Sequence, residues 1–180
     1  MARIAPLEPP YPPEAQAAFD AIMPKGVEPL LLFRTLAVSP RVYQRFRAGS
    51  LLDRGPLSLR EREIAIDRTC AVTGCAYEWG VHVAFFAARV GLTKEEIAAL
   101  ASPAVDALAW SPRERAIIAL CDELNATTRI SDATWDALRV AFAAEEILEL
   151  IALAGFYRTV AYFANGLELA PEPYGAPLPR

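Results

Sequence analysis

The chain has 180 residues, of which 54% are hydrophobic, and this is enough for one domain with a buried core. The formal net charge of −4 at pH 7, without any cluster of lysine or arginine, argues against a nucleic-acid-binding surface. The 34 alanines and only 9 glycines favour helix, because alanine loses no side-chain entropy in a helix. Alternating β-branched and aromatic residues are almost absent. We therefore expect an all-α fold.

The first residues include no apolar stretch of the kind that forms a signal peptide, so we expect a cytoplasmic protein. Glu149 and Arg158 interrupt the most apolar stretch, 147–166, which argues against a membrane-spanning helix. Three cysteines, an odd number, indicate thiols rather than a disulfide framework. The 16 arginines against 2 lysines, together with the many alanines, suggest a GC-rich bacterial genome.

Proline marks both ends of the chain. Seven of the 15 prolines fall within 6–29, and four more fall within 171–179. This distribution predicts a Pro-rich N-terminal arm with one short helix over 1–27, an all-helical domain over 28–170 and a Pro-rich tail over 171–180. Such segments often wrap a neighbouring surface, because they lose little entropy when they become ordered.

Helix starts and stops are well marked between the two ends. Ser58 with Glu61, and Thr93 with Glu96, fit the capping box, and Ser111 precedes proline at a first helical position. Gly91 fits the left-handed residue that ends a helix. With the spacing of apolar residues, these signals predict nine helices, over 14–23, 28–37, 39–52, 58–73, 75–90, 94–101, 112–126, 132–141 and 144–168.

The segment from 63 to 82 contains the residues that suggest chemistry. Thr73 and Gly74 break the helical pattern, which puts Cys75 at the start of a helix, where free N–H groups favour a thiolate. Cys75, Glu78 and His82 follow at i, i+3 and i+7, so they share one stripe of that helix. Its other faces are apolar, and this predicts that the stripe lines a small cleft in which the polar groups satisfy one another.

Glu63 lies one helix earlier, on a mostly apolar face with Ile66 and Cys70. A carboxylate in such surroundings tends to pair with a proton donor. Glu63 and His82 are therefore a candidate acid/base couple. Cys70 and Cys121 fit the core, and a zinc site with a single histidine and mixed oxygen and sulfur ligands would be unusual.

These residues resemble the carboxymuconolactone decarboxylase-like superfamily, which includes alkyl hydroperoxidase D. The resemblance rests on Arg62-Glu63, on Cys75-Ala-Tyr-Glu78-Trp-Gly-Val-His82, on 91–97 and on a closing helix within 148–165. It implies a compact, oligomeric, all-helical domain of the alkyl hydroperoxidase D type. It also implies that Glu63, Cys75 and His82 match the relay glutamate, the first cysteine and the histidine of the peroxidase branch.

Glu78 is where this chain departs from the peroxidase pattern, since it stands at the position of the second cysteine of Cys-x-x-Cys. A disulfide cannot form within the motif, and Cys70 lies beyond a helix break. The decarboxylase-like branch therefore fits better. The resemblance implies an enzyme without metal or organic cofactor that acts on a small organic acid or lactone, with His82 as acid/base and with Glu63 and Glu78 orienting it.

Two alternatives remain open. One is a thiol peroxidase in which Cys75 reacts with peroxide and an external thiol resolves it. The other is a non-catalytic ligand-binding subunit with the same fold. In each case we expect a small-molecule ligand, neither nucleic acid nor membrane as partner, and a homo-oligomer, either trimer, dimer or hexamer. We expect the cleft between the 58–73 and 75–90 helices, completed by a neighbouring subunit.

Overall fold

The computed structural model describes residues 2–51 and 53–179, and in these ranges it has nine α-helices, one 3-10 helix and no strand. Met1, Leu52 and Arg180, which belong to the predicted arm, third helix and tail, lie outside the described residues. The helices are α1 (Pro13–Asp20), α2 (Leu31–Leu36), α3 (Pro40–Ala48), α4 (Leu59–Val72), α5 (Ala76–Phe86), α6 (Lys94–Ala101), α7 (Pro112–Thr127), α8 (Asp132–Ala141) and α9 (Ala144–Gly166). The 3-10 helix is Val105–Ala107. The expectation of an all-α domain is confirmed.

The predicted capping signals start three of these helices. Ser58, Thr93 and Ser111 each accept a hydrogen bond from the backbone N–H three residues later. The carboxylate of the glutamate at that position accepts one from the backbone N–H of the cap residue. Reciprocal bonds of this kind satisfy N–H groups that a helix start leaves open. They fix where α4, α6 and α7 begin, and α4 carries part of the site.

Three helices end three or four residues earlier than the apolar pattern predicts, and α2 begins three residues later than predicted. The regular part of α1 stops at Asp20, that of α3 at Ala48 and that of α5 at Phe86. Beyond α5 the chain continues in turns to Gly91, whose φ of 70° is the left-handed stop expected there. Helix ends fray in this way because the last carbonyl groups lack intrahelical partners.

Helix α4 is the central helix, and it packs against α5, α6, α7 and α9. Its residues from 62 to 70 are all buried, including four charged ones. Arg62 donates to the carbonyl groups of Leu51 and Asp53, and Arg68 forms an ion pair with Asp122 at 2.6 Å. Both arginines therefore find partners away from α5, although the Nε of Arg62 has none among the described residues.

The two proline-rich ends pack against the helical domain of the same chain. The N–H of Arg3 donates to the carbonyl oxygen of Leu167, and the N–H of Ala176 donates to that of Gly80 in α5. A Cβ atom at Gly80 would lie 3.0 Å from the Ala176 carbonyl oxygen, so glycine allows this close approach. The C-terminal tail thereby covers the side of α5 that carries Trp79.

By length and composition alone, α9 could cross a membrane. Its buried residues, however, pack against α4, α5, α7 and α8, as in the core helix of a folded domain. Together α4, α5 and α9 enclose the candidate site.

Candidate active site

A Schellman motif connects α4 to α5. Gly74 has a φ of 63°, its N–H donates to the carbonyl oxygen of Ala71 at 3.0 Å, and the N–H of Cys75 donates to that of Cys70 at 2.8 Å. This motif usually brings its last residue into side-chain contact with the residue at its first carbonyl. Cys75 is the N-cap residue of α5, and the motif holds it beside Cys70.

His82 lies between two carboxylates. Its Nδ1 is 2.8 Å from Oε2 of Glu63 on α4, and its Nε2 is 3.4 Å from Oε1 of Glu78, one turn earlier on α5. All three side chains are buried. The rings of Phe86 and Tyr157 pack on the imidazole at centroid distances of 5.3 and 5.1 Å, which excludes water and fixes its orientation.

These surroundings keep the imidazole protonated. Burial lowers the pKa of His82, but the hydrogen bonds and charges of Glu63 and Glu78 outweigh that effect and raise the pKa to about 10. At neutral pH the group is an imidazolium that donates to Glu63 through Nδ1 and faces Glu78 with Nε2 at 3.4 Å. One oxygen of Glu78, Oε2, is buried and has no hydrogen-bond partner among the described residues.

The two cysteines at the junction differ in acidity. The Cys70 thiol is the largest influence on Cys75 and lowers its pKa; burial opposes this, and the N–H groups of Glu78 and Tyr77 assist it. None of these N–H groups makes a capping hydrogen bond of standard geometry with the sulfur. Burial raises the pKa of Cys70 well above its usual value. Cys75 is thus the more acidic thiol, although both are inaccessible to solvent.

Asp67 is a site residue that the sequence reasoning missed. It lies one turn after Glu63 on α4, is 1% exposed, and neither of its oxygens has a hydrogen-bond partner in the described structure. Burial raises its pKa well above the usual value, the charge of His82 opposes this, and that of Glu63 adds to it. These surroundings therefore favour the neutral form of the carboxyl group. Its position four residues after Glu63, on the same face of α4, could have indicated that it belongs to the site.

A cavity of about 760 Å³ reaches this cluster from α1, α3 and α9. Glu78 and Tyr157 form its buried inner end, and its walls are largely alanine and aromatic side chains. Neither His82 nor Cys75 lines it. The opening therefore differs from the expected cleft between α4 and α5, because the contact of Glu63 with His82 fills the space between those helices.

The structure brings together all four residues proposed from the sequence. Glu63, Glu78 and His82 form one chain of contacts, and Cys75 lies at the α5 start beside Glu78. Cys121 is a core residue, with its thiol directed to the Ala65 carbonyl oxygen at 3.6 Å. Within the described residues, no three His, Cys, Asp or Glu side chains are arranged to hold a metal ion.

Residues 39–123 match the model of the carboxymuconolactone decarboxylase family, and this range contains Glu63, Cys75, Glu78 and His82. The match confirms the resemblance to the carboxymuconolactone decarboxylase-like superfamily. No protein with a curated description matches the chain.

Solved structures with the same fold support this assignment. One is the alkylhydroperoxidase AhpD core of an uncharacterized peroxidase-related protein from Ralstonia eutropha JMP134, with a TM-score of 0.82 and 22% identity over 96% of this chain and 93% of that one. Another is an uncharacterized peroxidase-related protein from Silicibacter sp. TM1040, with a TM-score of 0.82 and 20% identity over 96% and 92%. At these identities, both below 25%, the matches show that this chain has the same fold as the two structures.

The debrominase Bmp8 is a third such structure. It superimposes with a TM-score of 0.69 and 16% identity, over 94% of this chain and 91% of that one. A cysteine-to-alanine variant of Bmp8 in complex with 2,3,4-tribromopyrrole gives a TM-score of 0.71 at 15% identity. The fold therefore occurs in a debrominase as well as in peroxidase-related proteins, so the reaction of this chain has to be argued from its own site.

Proposed function

We propose that the protein is an enzyme that moves protons to and from a small organic acid or lactone bound in the cavity, as in a decarboxylation. The observation that carries this proposal is the position of Glu78. Glu78 lines the cavity, one of its oxygens contacts the His82 imidazolium, and the other is buried without a hydrogen-bond partner among the described residues. Glu78 is thus the group that would contact the substrate, while His82 and Glu63 do not line the cavity and contact it only through Glu78.

A proton relay follows from this order. When the bond to the departing carboxylate breaks, its electron pair stays on the substrate carbon and CO2 leaves. The proton of His82 Nε2 moves to Glu78, and Glu78 delivers it to that carbon. Glu63 accepts the hydrogen bond of Nδ1–H throughout and so stabilises the charged imidazole. Solvent then restores the proton that the carbon has taken up.

Hydrogen–deuterium exchange tests this proposal without a known substrate. A panel of small keto acids, lactones and carboxymuconolactone is incubated with the protein in D2O, and NMR follows deuterium at carbon and loss of CO2. We expect exchange or decarboxylation that Glu78→Gln reduces about a hundredfold or more, the usual contribution of a positioned acid/base. Activity that is equal in wild type and Glu78→Gln would contradict the proposal.

The thiol pair favours one second candidate, a hydroperoxide reductase. Its support is the lowered pKa of Cys75 and the contact with Cys70. The Cys75 thiolate would attack a peroxide oxygen and break the O–O bond, the alcohol would leave with a proton, and Cys70 would displace water from the sulfenic acid to form a disulfide. Cys70 would then replace the external thiol expected from the sequence.

An external dithiol would complete this cycle by reducing the disulfide. After treatment with hydroperoxide, mass spectrometry of wild type and of Cys121→Ser should show one disulfide between Cys70 and Cys75. Turnover of hydroperoxide with a dithiol should stop in Cys75→Ser. If wild type consumes no hydroperoxide and all three thiols stay reduced, this candidate is wrong.

A further inference from the structure

One wall of the cavity carries polar groups that have no partner within the described residues. The hydroxyl group of Tyr43 and the Nε of Arg47, one turn apart on α3, are both buried and make no hydrogen bond. Tyr43 is only 3% exposed. A buried polar atom without a partner costs free energy. Both residues line the cavity, so a ligand bound there would contact them.

Arg47 also supplies an uncompensated positive charge. It is the one cationic side chain among the described residues that line the cavity, and none of their carboxylates lies within ion-pair distance of it. The lining carboxylates are Glu14, which is exposed, and Glu78, which contacts His82. The Arg47 guanidinium carbon lies 5.8 Å from the centroid of the Tyr43 ring, so the two groups are neighbours. Burial raises the pKa of Tyr43 to about 12, which keeps its hydroxyl a donor.

The rest of the wall is apolar and partly aromatic. The rings of Phe46 and Phe156 lie 5.0 Å apart, and alanine side chains of α1 face them. A flat, apolar body of the size of one or two rings fits a chamber of about 760 Å³. One guanidinium and one hydroxyl match a single carboxylate, whereas Glu14 and Glu78 disfavour a ligand with more negative charge.

We propose that Arg47 and Tyr43 are the carboxylate anchor of this cavity, and that its ligand is a small monocarboxylic acid with an apolar, ring-sized body. The proposal rests on the proposed function in taking the cavity as the substrate site. It adds the two residues that hold the carboxylate of the acid, both on α3, and leaves the acid/base step to Glu78.

Calorimetry with three probes of similar size and different charge tests the anchor. Benzoate, neutral benzamide and cationic benzylamine are titrated into wild type and into Arg47→Ala, Tyr43→Phe and Arg45→Ala. Arg45 is an exposed arginine of α3 outside the cavity lining, so it controls for surface charge. We expect benzoate to bind wild type and Arg45→Ala alike, and to bind Arg47→Ala about tenfold more weakly, the size of one hydrogen bond to a charged group. Tyr43→Phe should weaken it severalfold.

Benzamide should bind more weakly than benzoate to wild type and should not respond to Arg47→Ala. Arg47→Lys, which keeps the charge, should restore part of the benzoate affinity, and thermal unfolding should show that each variant folds. Equal loss in Arg45→Ala, no benzoate binding to wild type, or a preference for benzylamine would each overturn the anchor. Glu78→Gln should still bind benzoate, so failure of the anchor and failure of the proton relay give different results.

Discussion

The Nδ1 atom of His82 lies 2.8 Å from Oε2 of Glu63, and the two side chains are only 4% and 3% exposed. This pair joins α4 to α5 inside the core, where a lone charge would be costly. Because Glu78 contacts the other ring nitrogen, the imidazolium has an acceptor on each side. The site is therefore a buried positive charge held between two carboxylates, one of which belongs to a residue that lines the cavity.

The protonated state of His82 can be measured directly, since it is the single histidine of the chain. Its pKa of about 10 predicts that the histidine Cε1–H resonance stays at the imidazolium position from pH 5 to 9. In the Glu63→Gln variant the pKa should fall, because the nearest carboxylate is gone. NMR titration measures both values. A wild-type midpoint near the ordinary 6.5 would contradict the assignment of charges.

Stability should depend on pH in the same window. Because the folded-state pKa is raised above the unfolded value of about 6.5, the histidine stabilises the fold fully below pH 6.5, and this contribution is lost as the pH rises toward 10. The loss should approach about 1.4 kcal/mol per pH unit for one proton. Urea unfolding of wild type and His82→Gln at several pH values measures the difference between their slopes. Parallel slopes would contradict the prediction.

Asp67 and Glu63 should respond differently to the same chemical change. Burial favours the neutral form of Asp67, and its carboxyl group has no hydrogen-bond partner among the described residues, so Asp67→Asn should lower the free energy of unfolding by no more than about 1 kcal/mol. Glu63→Gln removes the charge that balances a buried imidazolium, and a broken buried pair costs about 3–5 kcal/mol. Chemical denaturation of both variants at pH 7 measures the contrast. Equal losses would show that Asp67 is ionised.

The helices and the shared stripe of α5 were predictable from the sequence, because they depend on local rules. Capping boxes and spacings of three, four and seven residues place Ser58, Cys75 and His82 without any knowledge of tertiary contacts. The pairing of Glu63 with His82 was also predictable, since two neighbouring helices each bury one polar group that needs a partner.

The cavity was not predictable in this way. Tyr43 and Arg47 on α3 face α1 and α9, which are distant in sequence, and no local pattern indicates that these helices meet. The contact of Cys70 with Cys75 could have been predicted from the sequence but was missed. Gly74 indicates a break between two helices, but a glycine directly after a helix also indicates a Schellman motif, which brings those two cysteines together.

Alkylation should distinguish the three thiols, all of which are free and buried. Cys75 has a lowered pKa, whereas burial raises the pKa of Cys121 to about 12 and that of Cys70 well above its usual value. Because the thiolate is the reactive form, iodoacetamide should modify Cys75 first in the native protein at neutral pH. Peptide mass spectrometry over time measures the order. Equal or reversed rates would mean that Cys75 is an inert core residue.

Self-association should use the outer face of α9. Its exposed stripe runs at helical spacing through Leu148, Ala152, Gly155, Thr159 and Tyr162, with Leu148 68% and Tyr162 64% exposed. Small residues between two large apolar ones allow another helix to approach closely. We expect light scattering to give a multiple of 19.6 kDa for wild type and a smaller mass for Ala152→Glu. Ala133→Glu, on the exposed side of α8, is the matched control. A monomeric wild type would contradict the prediction.

The position of Glu78 allows the departure from the Cys-x-x-Cys pattern to be reversed. Cys75 is the N-cap of α5 and Glu78 lies three residues later, a spacing at a helix start that meets the Cα separation of less than about 7 Å required for a disulfide. In a Cys70→Ser background, which removes the competing thiol, Glu78→Cys should therefore form an oxidised pair with Cys75, detected by mass spectrometry as the loss of two hydrogens. Dithiol-dependent turnover of hydroperoxide should rise above that of the same background with Glu78→Ser.

Both substitutions should abolish proton transfer to the substrate equally, since each deletes the carboxylate at the cavity. A folded Glu78→Cys variant that stays reduced under oxidising conditions would show that the side chains of residues 75 and 78 do not face the same site.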